Sequence, residues 1–244
     1  MNFSSISNNN VVGRLIRQPL RLIPDRTPMP ILQGRLRGKR WIAGSHTHGC
    51  WLGTYEIEKQ KLFTQTVESG ATVYDIGANA GFYTLLSSVM VGLHGHVYAF
   101  EPLPRNVGFL REHIRLNGIA NATVVEAAVS DRSGETDFDD STGSATGHIK
   151  PSGGLRIKMV KLDEFIADNN LPSPDCMKID VEGDEMLVLS GAKLLLKSQR
   201  PKLFLSTHSA ELRDQCCAFL TSLGYQFRAI GRRAREDTDE LLAY

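Results

Sequence analysis

The stretch at residues 73–84 constrains the fold of this chain more than any other part of the sequence. A short apolar run rich in β-forming residues includes the acidic Asp75, a turn bracketed by Gly77 and Gly81 follows, and the next residues can begin a helix. A strand, a glycine turn and a helix in this order are typical of nucleotide-binding α/β folds. Glycine also lets a backbone approach a ligand where a Cβ atom would collide. We therefore predict that a nucleotide-like ligand binds at this turn.

A second apolar run ends at Glu101 and Pro102, about twenty residues further along the chain. In a mononucleotide-binding unit, the second strand ends in an acidic residue that accepts hydrogen bonds from the ribose hydroxyls. We predict this role for Glu101. The distance between the two stretches supports the interpretation of the first.

Strand-like and helix-like stretches alternate along the rest of the chain. The predicted strands lie at residues 73–76, 96–101, 122–129, 155–160, 175–180, 201–208 and 225–230, and the predicted helices at residues 56–69, 104–117, 162–167, 184–197 and 210–223. This alternation favours a mostly parallel sheet with helices on both faces. Residues 134–151 are rich in Asp, Ser, Thr and Gly, so they are predicted to form an exposed excursion that pairs with the strand at residues 155–160.

Ionisable side chains recur where the predicted strands end. Asp75, Glu101, Glu126, Asp180 and His208 all lie at or near a carboxyl end. Ligands of open α/β sheets bind beyond the carboxyl ends of the strands. A single cleft is therefore expected to collect these five residues.

Residues 1–54 are predicted to form an N-terminal extension, and residues 55–244 the main domain. The extension contains a helical pattern at residues 11–23 that Pro19 interrupts, and a hairpin at residues 30–43 that turns around Gly38. Residues 44–56 form an aperiodic loop, rich in polar and aromatic groups, that could act as a lid. His46 and His48 in this loop have no third ligand nearby in the sequence, so we interpret them as polar loop residues rather than a metal site.

The charge of the chain is unevenly distributed. Residues 1–40 contain eight arginine or lysine residues and one aspartate, although the whole chain has a net charge of only +1. This basic arm is interpreted as a helix docked on the domain, with membrane-surface contact or a targeting segment as alternatives. The four cysteines form no CxxC pair, and no apolar run approaches the roughly 18 residues of a spanning helix. We therefore expect a cytoplasmic protein; its oligomeric state is left open.

The glycine spacing distinguishes between two classes of ligand. Gly77 and Gly81 are four residues apart and do not form the G-x-G-x-x-G pattern of dinucleotide-binding dehydrogenases. Asp75, just before this turn, would repel a pyrophosphate but attract a cationic ligand. S-adenosylmethionine carries a sulfonium, an ammonium and a ribose. The sequence therefore favours S-adenosylmethionine over NAD as the cofactor.

Several distinctive motifs lie at residues 55–56, 75–85, 100–106, 128–134, 162–163 and 177–185, within a stretch from about residue 36 to residue 225. Together they resemble the FkbM family of S-adenosylmethionine-dependent methyltransferases. Asp184 departs from the small residue that is more usual before Glu185. The resemblance implies a class I methyltransferase fold, with a Rossmann-like seven-stranded sheet and a reversed final hairpin. It also implies O-methylation of a hydroxyl on a small molecule, sugar or natural product.

The resemblance also implies which residues bind the cofactor. They are Glu56, Asp75, Gly77, Ala78, Asn79, Gly81, Glu101, Pro102, Glu126, Ala127 and Asp180. Of these, the residues between Asp75 and Gly81 are expected at the methionine part, Glu101 at the ribose, and Glu126 with Ala127 next to the adenine.

Asp180, Glu182 and His208 are the predicted catalytic residues. Asp180 and Glu182 are two apart and share one face of an extended strand. Two neighbouring acids tend to raise one pKa, which suits a general base. We expect Asp180 or His208 to take the acceptor proton and Glu182 to orient the acceptor. Acidic residues can also bind Mg²⁺, but the sequence shows no third ligand, so no metal site is predicted.

The expected partner is a hydroxylated small molecule, such as a sugar, a lipid-linked sugar or a natural product. Specificity is expected to come from residues 46–56, residues 134–151 and the C-terminal tail. Two other functions are weighed: methylation of a nucleic acid held by the basic arm, and cofactor binding without turnover. The first is disfavoured because no aromatic stacking motif accompanies the arginines. The acidic residues after the fourth core strand argue against the second.

Overall fold

The N-terminal segment begins with a small antiparallel hairpin. In the computed structural model, which describes residues 20, 22–139, 148–149, 154–231 and 238–244, strand β1 (Pro28–Pro30) pairs with β2 (Arg40–Ile42). The predicted hairpin is confirmed, but its first strand lies earlier and residues 31–39 form the connection. Helices α1 (Gly49–Leu52) and α2 (Ile57–Thr66) follow. The helix expected at residues 11–23 falls mostly outside the described residues.

The next five elements follow the predicted order. They are β3 (Thr72–Ile76), α3 (Phe82–Val91), β4 (His96–Phe100), α4 (Pro104–Leu116) and β5 (Ala122–Val125). Helix α4 begins at Pro104, where the missing N–H of a proline costs nothing. It ends at Leu116, with Asn117 as its C-cap, and Gly118, whose φ is +60°, follows. Val107 and Leu110 form its buried face.

The chain then forms a second, four-stranded sheet. Its elements are β6 (Ala128–Ser130), β7 (Gly134–Asp139), β8 (His148–Ile149) and β9 (Leu155–Lys161), followed by α5 (Leu162–Asp168). The single strand predicted at residues 122–129 is therefore wrong. It divides at Glu126, where the Ala127 N–H bonds back to the Val125 carbonyl at 2.9 Å and turns the chain. The predicted pairing of the excursion is confirmed, because β7 runs antiparallel to β9.

The C-terminal part completes the larger sheet. It comprises β10 (Cys176–Ile179), α6 (Glu185–Gly191), α7 (Lys193–Ser198), β11 (Lys202–Ser206), α8 (Ala210–Ser222), β12 (Phe227–Ala229) and β13 (Glu240–Ala243). The single helix predicted at residues 184–197 is two helices that meet at Ala192. The Asp163 carboxylate accepts hydrogen bonds from the N–H groups of Leu194 and Leu195 at 2.8 and 2.9 Å, which gives α7 a start of its own.

The larger sheet has the strand order β12-β13-β11-β10-β3-β4-β5. Strand β13 runs antiparallel to β11 and β12, and the remaining pairs are parallel. The predicted seven-stranded, mostly parallel sheet with a reversed final hairpin is therefore confirmed. In register, Ile76 of β3 lies opposite Ile179 of β10 and Phe100 of β4, so these three strands end at one edge.

Apolar residues pack on both faces of this sheet. On one face, Tyr74 packs with Leu189 and other buried residues of α6 and α7. On the other, Val73 packs with Leu85 of α3 and with Trp41 of the N-terminal segment. Residues on both sides of the predicted boundary at residue 54 thus share one core. Among the described helices, none combines the length and the apolar character that crossing a bilayer requires.

Candidate active site

A cleft opens at the sheet edge where β3, β4 and β10 end. The open space within it, which includes solvent at its mouth, is about 920 Å³. Residues 77–80, 100–103, 127–129 and 178–184 contribute most of the lining. Trp41, His46 and Tyr55 close one side. The N-terminal segment therefore forms a wall of the cleft, and its role as a lid stays a prediction.

The turn after β3 is held by its neighbours as well as open to the cleft. Gly77 has φ +74°, and a Cβ atom there would lie 1.9 Å from the Asp180 carbonyl oxygen. Gly81 has φ +93°, and its Cβ atom would lie 2.3 Å from Leu110 Cδ1. Both positions thus require glycine because of strand and helix packing. Gly77 also lines the cleft, where close approach of the backbone to a ligand stays a prediction.

Glu101 joins this turn to the loop after β4. Its carboxylate accepts hydrogen bonds from the Asn79 N–H at 2.7 Å, the Leu103 N–H at 3.0 Å and the Asn106 side-chain amide at 3.2 Å. Burial raises the pKa of Glu101 against the lowering effect of these donors. Glu101 and Pro102 both line the cleft, where ribose binding stays a prediction.

Asp75 lies beneath the cleft and does not line it. Its side chain is wholly buried, accepts a hydrogen bond from Thr84 Oγ1 at 2.6 Å and lies 3.6 Å from Lys178 Nζ. Burial raises the pKa of Asp75, and Lys178 opposes that rise. Lys178 in turn donates to the Gly77 carbonyl at 2.8 Å. The expected contact between Asp75 and a cationic ligand is thus not provided by this geometry; Asp75 instead holds Lys178 under the turn.

Lys178 was not among the predicted site residues. It is a buried lysine within the apolar strand β10, and it lines the cleft. A lone lysine inside an otherwise apolar core strand is the sequence signal that could have identified it, since buried lysines are nearly always paired.

The predicted catalytic residues meet at one end of the cleft. His208 Nε2 lies 3.1 Å from Glu182 Oε2 and 3.6 Å from Asp180 Oδ1, and His208 Nδ1 lies 2.8 Å from Glu185 Oε1. Asp180 and Glu182 line the cleft, whereas His208 lies behind them. The structure therefore brings the three together and adds Glu185 to them.

This arrangement does not favour a free general base. Hydrogen bonds to Glu182 and Glu185 raise the pKa of His208 to about 10, so the ring holds a proton at neutral pH. Although burial acts to raise it, the nearby Lys178, Lys59 and His208 lower the pKa of Asp180 to about 2. The expectation that His208 or Asp180 takes the acceptor proton is therefore at odds with these pKa shifts.

Glu56 acts behind the cleft rather than in it. It accepts a hydrogen bond from the Tyr83 hydroxyl at 2.9 Å and lies 3.3 Å from Lys59 Nζ. Lys59 is buried and donates to Ser206 Oγ at 2.6 Å and to Glu240 Oε1 at 3.0 Å. Tyr83 itself lines the cleft. This buried network, which the sequence did not indicate, supports the cleft wall from behind.

The remaining predicted residues also include some that line the cleft and some that do not. Glu126 points away from the cleft and pairs with Arg111 at the surface, while Ala127 lines the cleft. Of all predicted site residues, those that line the cleft are Gly77, Ala78, Asn79, Glu101, Pro102, Ala127, Asp180 and Glu182, and those that do not are Glu56, Asp75, Gly81, Glu126 and His208.

Comparison with known proteins gives concordant matches. A family model for the methyltransferase FkbM domain matches residues 75–227. The hexuronic acid methyltransferase AglP of Haloferax volcanii is 32% identical over 142 residues, which cover 57% of this chain and 56% of AglP. The 2-O-methyltransferase NoeI of Sinorhizobium fredii is 26% identical over 148 residues, covering 52% of this chain and 60% of NoeI. The chain thus spans a little over half the length of these relatives.

Among solved structures, the FkbM methyltransferase from Methylobacillus flagellatus KT superposes with a TM-score of 0.52 at 16% identity. The superposition covers 81% of this chain and 55% of that protein. At this identity the likeness establishes the fold alone.

Proposed function

The chain belongs to the FkbM methyltransferase family, and from this premise we propose that it transfers a methyl group from S-adenosylmethionine to a hydroxyl oxygen of a sugar. The observation that carries the choice of acceptor is the 32% identity to a protein named for hexuronic acid methylation. The weaker likeness to a 2-O-methyltransferase supports transfer to oxygen.

The cleft has the parts that this reaction needs. S-adenosylmethionine supplies an electrophilic methyl carbon when bound, so the protein has to align an acceptor oxygen with it. Asn79, Glu101, Pro102 and Ala127 line the end of the cleft next to β3 and β4, which suits them to bind the cofactor.

Asp180 and Glu182, which come just after β10, also line the cleft, and so do His46 and Tyr55. Carboxylates can accept hydrogen bonds from sugar hydroxyls, and aromatic rings can pack against the apolar faces of a sugar ring. We assign acceptor binding to these four residues.

The first experiment tests cofactor choice. S-adenosylhomocysteine at a concentration well above its Kd is expected to raise the melting temperature of the protein, because a ligand that binds only the folded state stabilises it. NAD at the same concentration should leave the melting temperature unchanged. Stabilisation by NAD alone would contradict the proposal in favour of a dehydrogenase.

The second experiment tests the acceptor. The protein and S-adenosylmethionine are incubated with a hexuronic acid glycoside, a neutral hexose glycoside or an RNA, and methylated products are identified by mass spectrometry. We expect a methylated sugar. A methylated RNA as the only product would favour the nucleic-acid alternative. Binding of S-adenosylhomocysteine without any product would favour a partner protein that binds cofactor without turnover.

A further inference from the structure

Three side chains of metal-ligand type converge where β10 and β11 end. Asp180 directly follows β10, Glu182 comes two residues later, and His208 follows β11. One ligand atom from each lies within 4.8 Å of the other two. Because β10 and β11 are adjacent parallel strands, their carboxyl ends bring these residues together from separate parts of the chain. A search of the described residues for three or more His, Cys, Asp or Glu side chains close enough to hold one ion finds this group.

Glu185 is the independent observation that points to a ligand. Its side chain is wholly buried at the start of α6, and its Oε1 lies 2.8 Å from His208 Nδ1. Its second oxygen, Oε2, is buried without a hydrogen-bond partner among the described residues. A carboxylate that accepts from Nδ1–H directs Nε2 outward, and metal-binding histidines are commonly oriented by such a carboxylate. Here Nε2 faces Asp180 and Glu182.

The local charge is also suited to a cation. Three carboxylates, from Asp180, Glu182 and Glu185, surround the His208 ring. Lys178 Nζ lies 3.4 Å from Asp180 Oδ2, which leaves the Oδ1 atom facing His208. Glu182 and His208 are about one-third exposed, with side-chain exposures of 33% and 32%, so an ion can enter from solvent.

We propose that Asp180, Glu182 and His208 bind one divalent first-row transition-metal ion. Two carboxylates and one imidazole suit Mn²⁺, Co²⁺ or Zn²⁺, whereas Mg²⁺ and Ca²⁺ prefer oxygen ligands alone. His208 is the third ligand that the sequence did not reveal, since it lies 26 residues after Glu182. In this role His208 binds through Nε2, because the ion replaces the proton that Nε2 shares with Glu182 in the ion-free site, and His208 is not a general base.

The ion would act on the acceptor, a step that rests on the proposed function. A hydroxyl bound to a divalent cation loses its proton more readily than a free hydroxyl. The proton leaves to solvent at the open end of the cleft, and the acceptor oxygen forms its bond to the methyl carbon as the sulfur–carbon bond breaks. The sulfur retains that electron pair, so the second product is S-adenosylhomocysteine.

Metal binding is tested without reference to activity. The full chain is freed of metal with a chelator, dialysed and titrated with MnCl₂ while the electron paramagnetic resonance signal of free Mn²⁺ is followed. We expect one ion per chain. His208→Gln and Glu182→Gln each remove a ligand and should weaken Mn²⁺ binding by at least about tenfold, and Glu185→Gln, which affects the orientation of His208, by about 10-fold to 100-fold.

Glu112→Gln is the matched control. It removes one carboxylate from a surface pair with Arg115 on α4 and should leave Mn²⁺ affinity unchanged. Glu182→Gln is the ligand variant least expected to disturb the fold, because the Glu182 side chain is partly exposed. Circular dichroism checks the fold of every variant. If Mn²⁺, Co²⁺ and Zn²⁺ all fail to bind stoichiometrically, or if His208→Gln binds Mn²⁺ as tightly as Glu112→Gln does, the proposal is overturned.

Activity then separates the two proposals. We expect the chelated protein to lose sugar methylation and Mn²⁺ to restore it. If one Mn²⁺ ion binds per chain but its removal by a chelator leaves methylation unchanged, the ion has no catalytic role. The metal site itself would still be supported by the binding data. Mn²⁺ binding in a protein that methylates none of the acceptors would count against the proposed function instead.

Discussion

His113 is a buried histidine whose surroundings require the neutral ring. Its Nε2 accepts a hydrogen bond from the Ile42 N–H at 2.9 Å, its Nδ1–H donates to the Ala80 carbonyl at 2.7 Å, and Trp41 stacks on the ring at 3.9 Å. Burial lowers the pKa of His113 to about 4. One side chain thus connects the N-terminal hairpin, helix α4 and the turn after β3.

This pKa shift predicts a pH dependence of stability. Between its unfolded value near 6.5 and its folded value near 4, His113 binds a proton only in the unfolded chain, so acid favours unfolding. Its contribution is present above pH 6.5 and falls by about 3 kcal/mol as the pH drops to about 4. Urea unfolding of the wild type and of His113→Gln from pH 7.5 to pH 4 measures it. Equal pH slopes for the two proteins would refute the prediction, because other titrating groups contribute to both.

Among the described glycines, Gly77 has the closest neighbour to an added Cβ atom. In Gly77→Ala the new methyl group would meet the Asp180 carbonyl, a backbone atom that cannot move aside alone, at a left-handed φ. We expect a loss of about 3 to 5 kcal/mol in the free energy of unfolding. Gly118→Ala is the control, since φ is also positive there but no atom lies within 4 Å; its cost should be about 1 kcal/mol. Similar urea midpoints for the two variants would show that crowding at Gly77 is unimportant.

At the scale of elements, the buried Lys59 attaches helix α2 to the C-terminal strand β13. Its Nζ lies 2.8 Å from Glu240 Oε2 and donates to Ser206 on the neighbouring strand β11. Although burial acts to lower it, Glu240, Asp180 and Glu56 raise the pKa of Lys59, so the side chain is charged in the folded protein. The position of β13 between β11 and β12 therefore depends partly on a helix far away in sequence.

Lys59→Met is predicted to loosen that attachment. Removing the cation leaves Glu240 and Glu56 without their shared partner, and we expect a loss of about 3 kcal/mol together with faster hydrogen exchange in residues 240–243. Lys61→Met, which breaks an exposed pair with Glu58 on the same helix, should change stability by less than about 1 kcal/mol. Hydrogen exchange measured by mass spectrometry compares the two. Unchanged exchange in β13 of Lys59→Met would contradict this account.

The breaks within predicted elements have physical causes outside the elements themselves. The strand expected at residues 122–129 is divided at Glu126 because β6 pairs with β9 in the second sheet instead of continuing along β4. The helix expected at residues 184–197 is interrupted because the Asp163 carboxylate accepts hydrogen bonds from the N–H groups of Leu194 and Leu195 and so caps a new start. Periodicity along one stretch contains no information about such partners.

At the scale of the whole molecule, the order of strands and helices could be predicted because each core strand is a short apolar run that ends in a polar residue. The family and the fold class are confirmed. The sequence did not predict strand β13, since residues 240–243 are too short to be recognised without their partners β11 and β12. It also did not separate the residues that line the cleft from those beneath it, as Asp75 shows, because depth depends on packing between distant segments.

The cleft itself makes a prediction for the whole molecule. Its walls come from residues 41–55, 77–80, 100–103 and 178–184, so a ligand that fills it contacts segments that are far apart in the sequence. S-adenosylhomocysteine at about 100 times its Kd should stabilise the folded state by about 2.7 kcal/mol. Because the N-terminal wall shares its buried core with β3 and α3, we expect slower hydrogen exchange in residues 41–55 as well as in the turns after β3 and β4.

Strands β7 and β9 serve as the internal reference, because residues 134–137 and 155–161 do not line the cleft and should exchange at the same rate with and without ligand. Protection confined to residues 77–80 and 100–103 would mean that the N-terminal wall does not respond to the cofactor. Adding a sugar acceptor to the S-adenosylhomocysteine complex should slow exchange further in residues 41–55 and extend protection to residues 178–184, since His46, Tyr55, Asp180 and Glu182 are the residues assigned to acceptor binding.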